Sequence, residues 1–131
     1  MDPSRKVILT DQAPRAIGPY SVAIVAVGLV FTSGQIGLVP ASGELVSGGI
    51  EAETRQVLTN LKHVLEASGS DLTHVLKTIV FLKDMADFPK MNAIYAEFFS
   101  GQPPARSTVA VAGLPKGAAI EIEAIAMQNP A

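Results

Sequence analysis

The 131-residue sequence predicts a single α+β domain spanning residues 1–131, in which two helices cover one face of a mixed sheet. Two stretches repeat apolar residues every three or four positions, the mark of an amphipathic helix. Six runs rich in Val, Ile, Phe and Thr, most of them bounded by Gly or Pro, have strand character. Their order is βββ, α, β, α, ββ, and no repeat, linker or low-complexity tract divides it.

Val7-Ile8-Leu9 is a short first strand. Pro14 and Gly18-Pro19 break the backbone, so residues 14–19 form a loop. Val22 to Ala26 and Leu29 to Ser33 read as a hairpin turning at Val27-Gly28. Gly34, Gly37 and Pro40 end its second strand, and Ser42-Gly43 is a further turn. The first helix follows Gly48-Gly49 and runs from about Ile50 to Ser68. Thr54, Val57, Leu58, Leu61 and Leu65 make its inner face, and Gly69 stops it. Glu51 and Glu53 in its first turn complement the helix dipole. Val75 to Leu82 is an apolar strand. The second helix runs from about Phe88 to Phe99, with Pro89 tolerated in the first turn and Phe88, Met91, Tyr95, Phe98 and Phe99 as its stripe. Gly101, Pro103 and Pro104 end it. The closing strands, about Ala105 to Val111 and Ala119 to Met127, flank the turn at 113–117.

Hydrophobic residues make up 48% of the chain and charged ones 17%, enough for a core and against disorder. A formal net charge of −2 argues against the broad basic face that nucleic-acid binding needs. With no cysteine, thiolate catalysis, disulfides and Cys-based zinc sites are excluded, which fits a reducing compartment. Met1 to Lys6 is polar, predicting no signal peptide. The longest apolar run, Val22 to Phe31, is too short to span a membrane. These features predict a soluble, cytoplasmic protein.

The closing strands carry the chemistry. Arg106 stands at the start of one apolar strand, and Glu121 and Glu123 stand inside the other. A charge in such a strand is costly unless something pairs with it, and an arginine fork matches a carboxylate with two parallel hydrogen bonds. If the two strands pair, matching Ile120, Ile122, Ala124 and Ala126 with Ser107, Val109 and Val111 as the apolar face puts Arg106 and Thr108 on the side of Glu121 and Glu123. That second face would need covering by another copy of the chain. The pattern also permits a simple surface ion pair, worth ~0–1 kcal/mol. His63 and His74 read as exposed, with no metal-like spacing, and Lys116 reads as a solvated turn charge.

Ala16-Ile17-Gly18-Pro19-Tyr20-Ser21, Thr32-Ser33-Gly34-Gln35-Ile36, Pro104-Ala105-Arg106-Ser107 and Ile120 to Ala126 together resemble the Rid (YjgF/YER057c/UK114) family, from Lys6 to Gln128. Arg106 with Glu121 suggests its RidA-type branch. The resemblance implies a chorismate-mutase-like fold and a homotrimer whose sheets form a central barrel, with active sites between subunits. It implies hydrolysis of 2-imino acids, such as 2-iminobutanoate and 2-iminopropanoate, to 2-oxo acids and ammonia, with no cofactor and no metal. In that scheme Arg106 binds the substrate carboxylate and Glu121 handles the water and the proton. Tyr20, Ser33, Gly34, Asn92 and Thr108 line the pocket. Tyr20 as a loop anchor and Asn92 as a helix-surface amide are the structural alternatives, and Phe88, Phe98 and Phe99 read as core. Thr108 stands where many RidA-type members have cysteine, which removes any thiol-based regulation. Two other functions compete: a non-catalytic trimer that binds small acids or proteins, and an endoribonuclease or translation inhibitor. Retention of Arg106 and Glu121 argues against the first, and the acidic balance with no histidine pair in the matched motifs against the second.

Overall fold

A computed structural model describes residues 4–130. Six strands and two helices follow the expected order: β1 (Lys6–Ile8), β2 (Ala23–Ala26), β3 (Leu29–Thr32), α1 (Gly49–Ala67), β4 (Val75–Leu82), α2 (Phe88–Phe98), β5 (Ala105–Ala110) and β6 (Ile120–Met127). The β2–β3 hairpin turns at Val27 and Gly28, both at positive φ. Short 3₁₀ turns at Leu72–His74, Met85–Asp87 and Pro115–Gly117 lie between the larger elements.

The strands form one sheet in the order β1-β2-β3-β6-β4-β5. All pairings are antiparallel except β4 with β5, which run parallel because α2 carries the chain back between them. The expected pairing of the closing strands is therefore wrong: β4 lies between them. The face assignment changes with it. Arg106 stands opposite Thr78, and Thr78 opposite Ala124, so Arg106 and Thr108 share the face of Ile120, Ile122, Ala124 and Ala126. Glu121 stands opposite Phe81 on the other face.

The first of these faces packs on the helices. Val57, Leu58, Leu61, Val64 and Leu65 of α1 and Met91 and Tyr95 of α2 form one core with the inward residues of β3, β4 and β6. Burying each such aliphatic side chain contributes about 1.5–3 kcal/mol. The opposite face carries no helix. Val7, Phe31, Ile125, Met127 and Val109 stand on it, between 36% and 43% exposed. Glu121, Glu123 and Lys77 share this face with them.

Candidate active site

Arg106 reaches its position from edge strand β5, half-buried beneath α2. Its guanidinium carbon lies 4.7 Å from the Tyr95 ring centroid and 5.4 Å from that of Phe88. Among the described residues it has no hydrogen bond and no ion pair. Tyr95 is tied to Thr78 by a 2.7 Å hydroxyl–hydroxyl hydrogen bond. Burial pushes the Tyr95 phenol up, against the smaller lowering influences of Thr78 and Arg106. A groove of about 380 Å³ opens above Arg106, between Asn92 of α2 and Pro103-Pro104. Asn92 is exposed on its helix and lines this groove.

Glu121 sits on β6, in the middle of the sheet, over Gly34. A methyl group on Gly34 would lie 2.7 Å from Glu121 Cδ and overlap the carboxylate oxygen, so the carboxyl can hold this position only over a glycine. Desolvation raises the Glu121 pKa above the ordinary carboxylate value, and the like charge of Glu123 adds to the rise. Beside it is a cavity of about 50 Å³ bordered by Tyr20, Arg15, Gln35 and Pro115. The Tyr20 hydroxyl accepts from Ile17 N at 3.3 Å, so the loop-anchor role holds while the ring walls this cavity. Ser33 is bound at both ends of the residue: its N–H donates to Val22 O at 2.9 Å and its hydroxyl to Ser21 O at 2.5 Å. That leaves the Ser33 oxygen free to accept but commits its proton.

Helix α1 sets the Glu121 region in place. Buried Asn60 donates to Ile36 O at 3.2 Å and to Leu38 O at 2.9 Å, fixing the segment after Gly34. Buried Glu53 accepts from Ala119 N at 2.8 Å, one residue before β6 begins. Glu53 thus holds a strand start, whereas a role for it at the helix dipole was expected. Asn60 interrupts the apolar stripe of α1, and a polar residue within such a stripe is the sequence signal that was available. Nothing in the pattern marked Tyr95 or Phe88 as the support of Arg106.

The expected site residues therefore fall into two groups. Arg106, Asn92 and Thr108 belong to the helix side of the β5 edge, while Glu121, Gly34, Ser33 and Tyr20 gather at the other. Thr108 turns its hydroxyl into the protein, where it is buried without a hydrogen-bond partner among the described residues. Two minor expectations also change. His63 and His74 are half-buried and engaged, His63 Nδ1 with Gln12 O and His74 Nδ1 with Asp71. The Thr73 hydroxyl, and after it this His74 contact, hold the Asp71 carboxyl down at about 2. Lys116 is no free turn charge, since its Nζ donates to Gly43 O at 3.1 Å. Among the described residues no group of three His, Asp or Glu side chains is placed to hold a metal ion. No helix of the described residues is long and apolar enough to cross a membrane.

The described residues thus form an α+β domain, a six-stranded mixed sheet with two helices on one face, bearing an arginine whose guanidinium has no hydrogen-bond partner among them and a desolvated glutamate. Residues 10–128 match the family model described as Endoribonuclease L-PSP. The chain belongs to this family, which is the Rid (YjgF) family of the sequence resemblance. It is 52% identical over 126 residues to the 2-iminobutanoate/2-iminopropanoate deaminase of Rattus norvegicus, covering 96% of this chain and 92% of that protein. Its structure is similar to that of E. coli TdcF with bound serine (TM-score 0.90, 40% identity, 95% of this chain and 99% of that one). It is also similar to RidA from the Antarctic bacterium Psychrobacter sp. (TM-score 0.90, 42% identity, 93% and 98%).

Proposed function

We propose that the protein hydrolyses 2-imino acids to 2-oxo acids and ammonia, with 2-iminobutanoate and 2-iminopropanoate as substrates. The observation that carries this reading is the state of Arg106: a half-buried guanidinium whose hydrogen-bonding fork has no partner among the described residues. Such a group is costly unless a ligand carboxylate completes it. Rat 2-iminobutanoate/2-iminopropanoate deaminase, a curated relative, bears the name of this activity.

In the reaction the substrate carboxylate lies on Arg106. Water adds to the carbon of the protonated imine while Glu121 takes a proton from that water. Glu121 then returns the proton to nitrogen, the C–N bond breaks and ammonia leaves, while the remaining hydroxyl gives its proton to Glu121, and from there to solvent, as the carbonyl forms. A carboxyl with a raised pKa suits both steps, because it holds the proton taken from water more readily than an ordinary carboxylate and can still return it.

The reaction needs Arg106 and Glu121 at one substrate, and one chain holds them on opposite faces of its sheet. A homotrimer meets that need. Its sheets pack through the bare apolar faces into a barrel, and each cleft takes Arg106, Asn92 and Thr108 from one subunit and Glu121, Gly34, Ser33 and Tyr20 from its neighbour. At Thr108 the backbone contributes, since the hydroxyl faces inward. The cysteine-free chain suits a reducing compartment such as the cytoplasm.

The experiment is complementation. Arg106→Ala and Glu121→Gln chains are assayed for ammonia release from freshly generated 2-iminobutanoate. Each alone is expected to lose at least about 100-fold in turnover. Trimers mixed from the two chains regain activity, because one cleft in three receives an intact Arg106 and an intact Glu121. Mixed trimers as inactive as their parents would place both residues in one subunit's site, and 2-oxo-acid binding without hydrolysis by the unaltered protein would favour the non-catalytic alternative.

A further inference from the structure

Arg106 is on the core-facing side of a strand, and nothing charged or polar among the described residues holds it. Its neighbours are aromatic. Phe88 and Tyr95 lie seven residues apart on α2, two turns along one helix face, and both present ring faces within cation–π distance of the guanidinium. Tyr95 is itself fixed. It is buried, its ring packs against Phe99 at 4.6 Å, and its hydroxyl is bonded to Thr78, the residue standing opposite Arg106 across the β4–β5 ladder.

We propose that Phe88 and Tyr95 are positioning residues for carboxylate recognition: their ring faces hold the Arg106 guanidinium, and Thr78 latches Tyr95 in the orientation this requires. This rests on the assignment of Arg106 to the substrate carboxylate and extends it. A carboxylate would steady an arginine equally well, but it would occupy the fork and compete with substrate. Ring faces steady the cation through its own face and leave its in-plane N–H donors open. An arginine on a long flexible stem is thereby ordered before substrate arrives, which lowers the entropy lost on binding. The arrangement also limits the site to arginine, because a lysine ammonium has no plane to stack and no fork to offer.

The test separates ring electronics from packing. Phe88 is replaced, site by site, with mono-, di- and trifluorinated phenylalanine, which withdraw charge from the ring face with little change in size. KM and kcat are measured with 2-iminobutanoate generated in situ by an amino-acid oxidase. KM is expected to rise stepwise to roughly 3–10-fold while kcat stays within about twofold. A structural role for Phe88 predicts no such series, so a flat KM overturns the proposal. Phe88→Leu should raise KM at least as far as the full series and Phe88→Tyr should restore it, whereas equal KM values in Leu and Tyr variants would also overturn it. Tyr95→Phe keeps the ring and removes the latch, for which a smaller rise in KM is expected. An unchanged KM there overturns the part assigned to Thr78. Arg106→Ala is assayed alongside. If it retains turnover, the carboxylate assignment itself has failed; if it is inactive and the fluorinated series is flat, only the aromatic support has failed.

Discussion

The two charged groups to which the proposed chemistry is assigned are housed in opposite ways. Arg106 lies on an edge strand, with rings beneath it and no polar tie among the described residues. Glu121 lies in a central strand, pressed on the backbone of Gly34, with Glu123 two residues away on the same face. The first setting keeps a permanent charge in place without consuming its donors. The second makes a charge easy to lose, because burial and a like charge both favour the protonated form. Binding calls for a fixed cation and proton transfer calls for an adjustable acid, and each is met by its surroundings more than by its residue type.

The strongest way to break this contrast is Glu121→Gln, which should lower kcat by about 10²- to 10⁴-fold and leave 2-oxo-acid binding at Arg106 largely intact. It also has a stability signature of definite sign. Because the Glu121 pKa is raised in the folded chain, the folded state holds more protons than the unfolded one between the ordinary carboxylate pKa and the raised one. Stability therefore falls as pH rises through that window. Glu121→Gln removes the loss, so its thermal midpoint should match the parent at pH 4 and exceed it at pH 8. A midpoint lowered at pH 8 would mean that the carboxylate is stabilised by a partner and not merely desolvated. In the active protein, Glu123→Gln should shift the acid limb of kcat/KM to lower pH by removing the like charge; a limb that does not move would leave burial as the sole cause.

Gly34→Ala tests the second half of the contrast from below. The added methyl group claims the space of the Glu121 carboxyl, so the side chain must swing away. Misplacing a catalytic group by about 1 Å costs on the order of 100-fold, and kcat should fall by that amount. The drop should appear in kcat with little change in 2-oxo-acid affinity, since in the proposed cleft the carboxylate is held by Arg106 of the neighbouring subunit and not by Gly34. Equal losses in both would mean that Gly34 itself carries substrate.

Much of this arrangement was legible in the residue order. The apolar spacing of Val57, Leu58, Leu61 and Leu65 located α1 within a residue or so of its ends, and Val27-Gly28 marked the hairpin correctly. Strand order was not legible, for a physical reason. On β5 the two faces differ little in polarity: Arg106 and Thr108 point to the core while Ser107 and Val109 point away, and none of the four is fully buried. Alternation identifies an inner face only where the inner face is fully buried, and an edge strand under one end of α2 is not. Choosing Val109 over Thr108 as the inward residue followed hydrophobicity and reversed the strand. The resemblance implied one site for Arg106 and Glu121 between subunits, whereas face-matching joined them only by an incorrect pairing. The support of Arg106 by Phe88 and Tyr95 escaped both routes, since aromatic residues on an amphipathic stripe look like ordinary core until an arginine is found over them.

The smallest expected effect concerns Thr108. Thr108 buries a hydroxyl with no hydrogen-bond partner, on the same strand face as Arg106. An unsatisfied buried hydroxyl costs about 1–3 kcal/mol, and valine has nearly the same shape without it. Thr108→Val should therefore stabilise the protein by about 1 kcal/mol, raising the thermal midpoint by a few degrees. Thr108→Ser, which keeps the hydroxyl and loses the methyl group, should destabilise it. Measured at several protein concentrations, these variants also probe the assembly. If Thr108→Val instead loses stability, and loses it through weaker association, then the hydroxyl finds its partner in a neighbouring subunit, and the Arg106 side of the proposed cleft is completed across an interface.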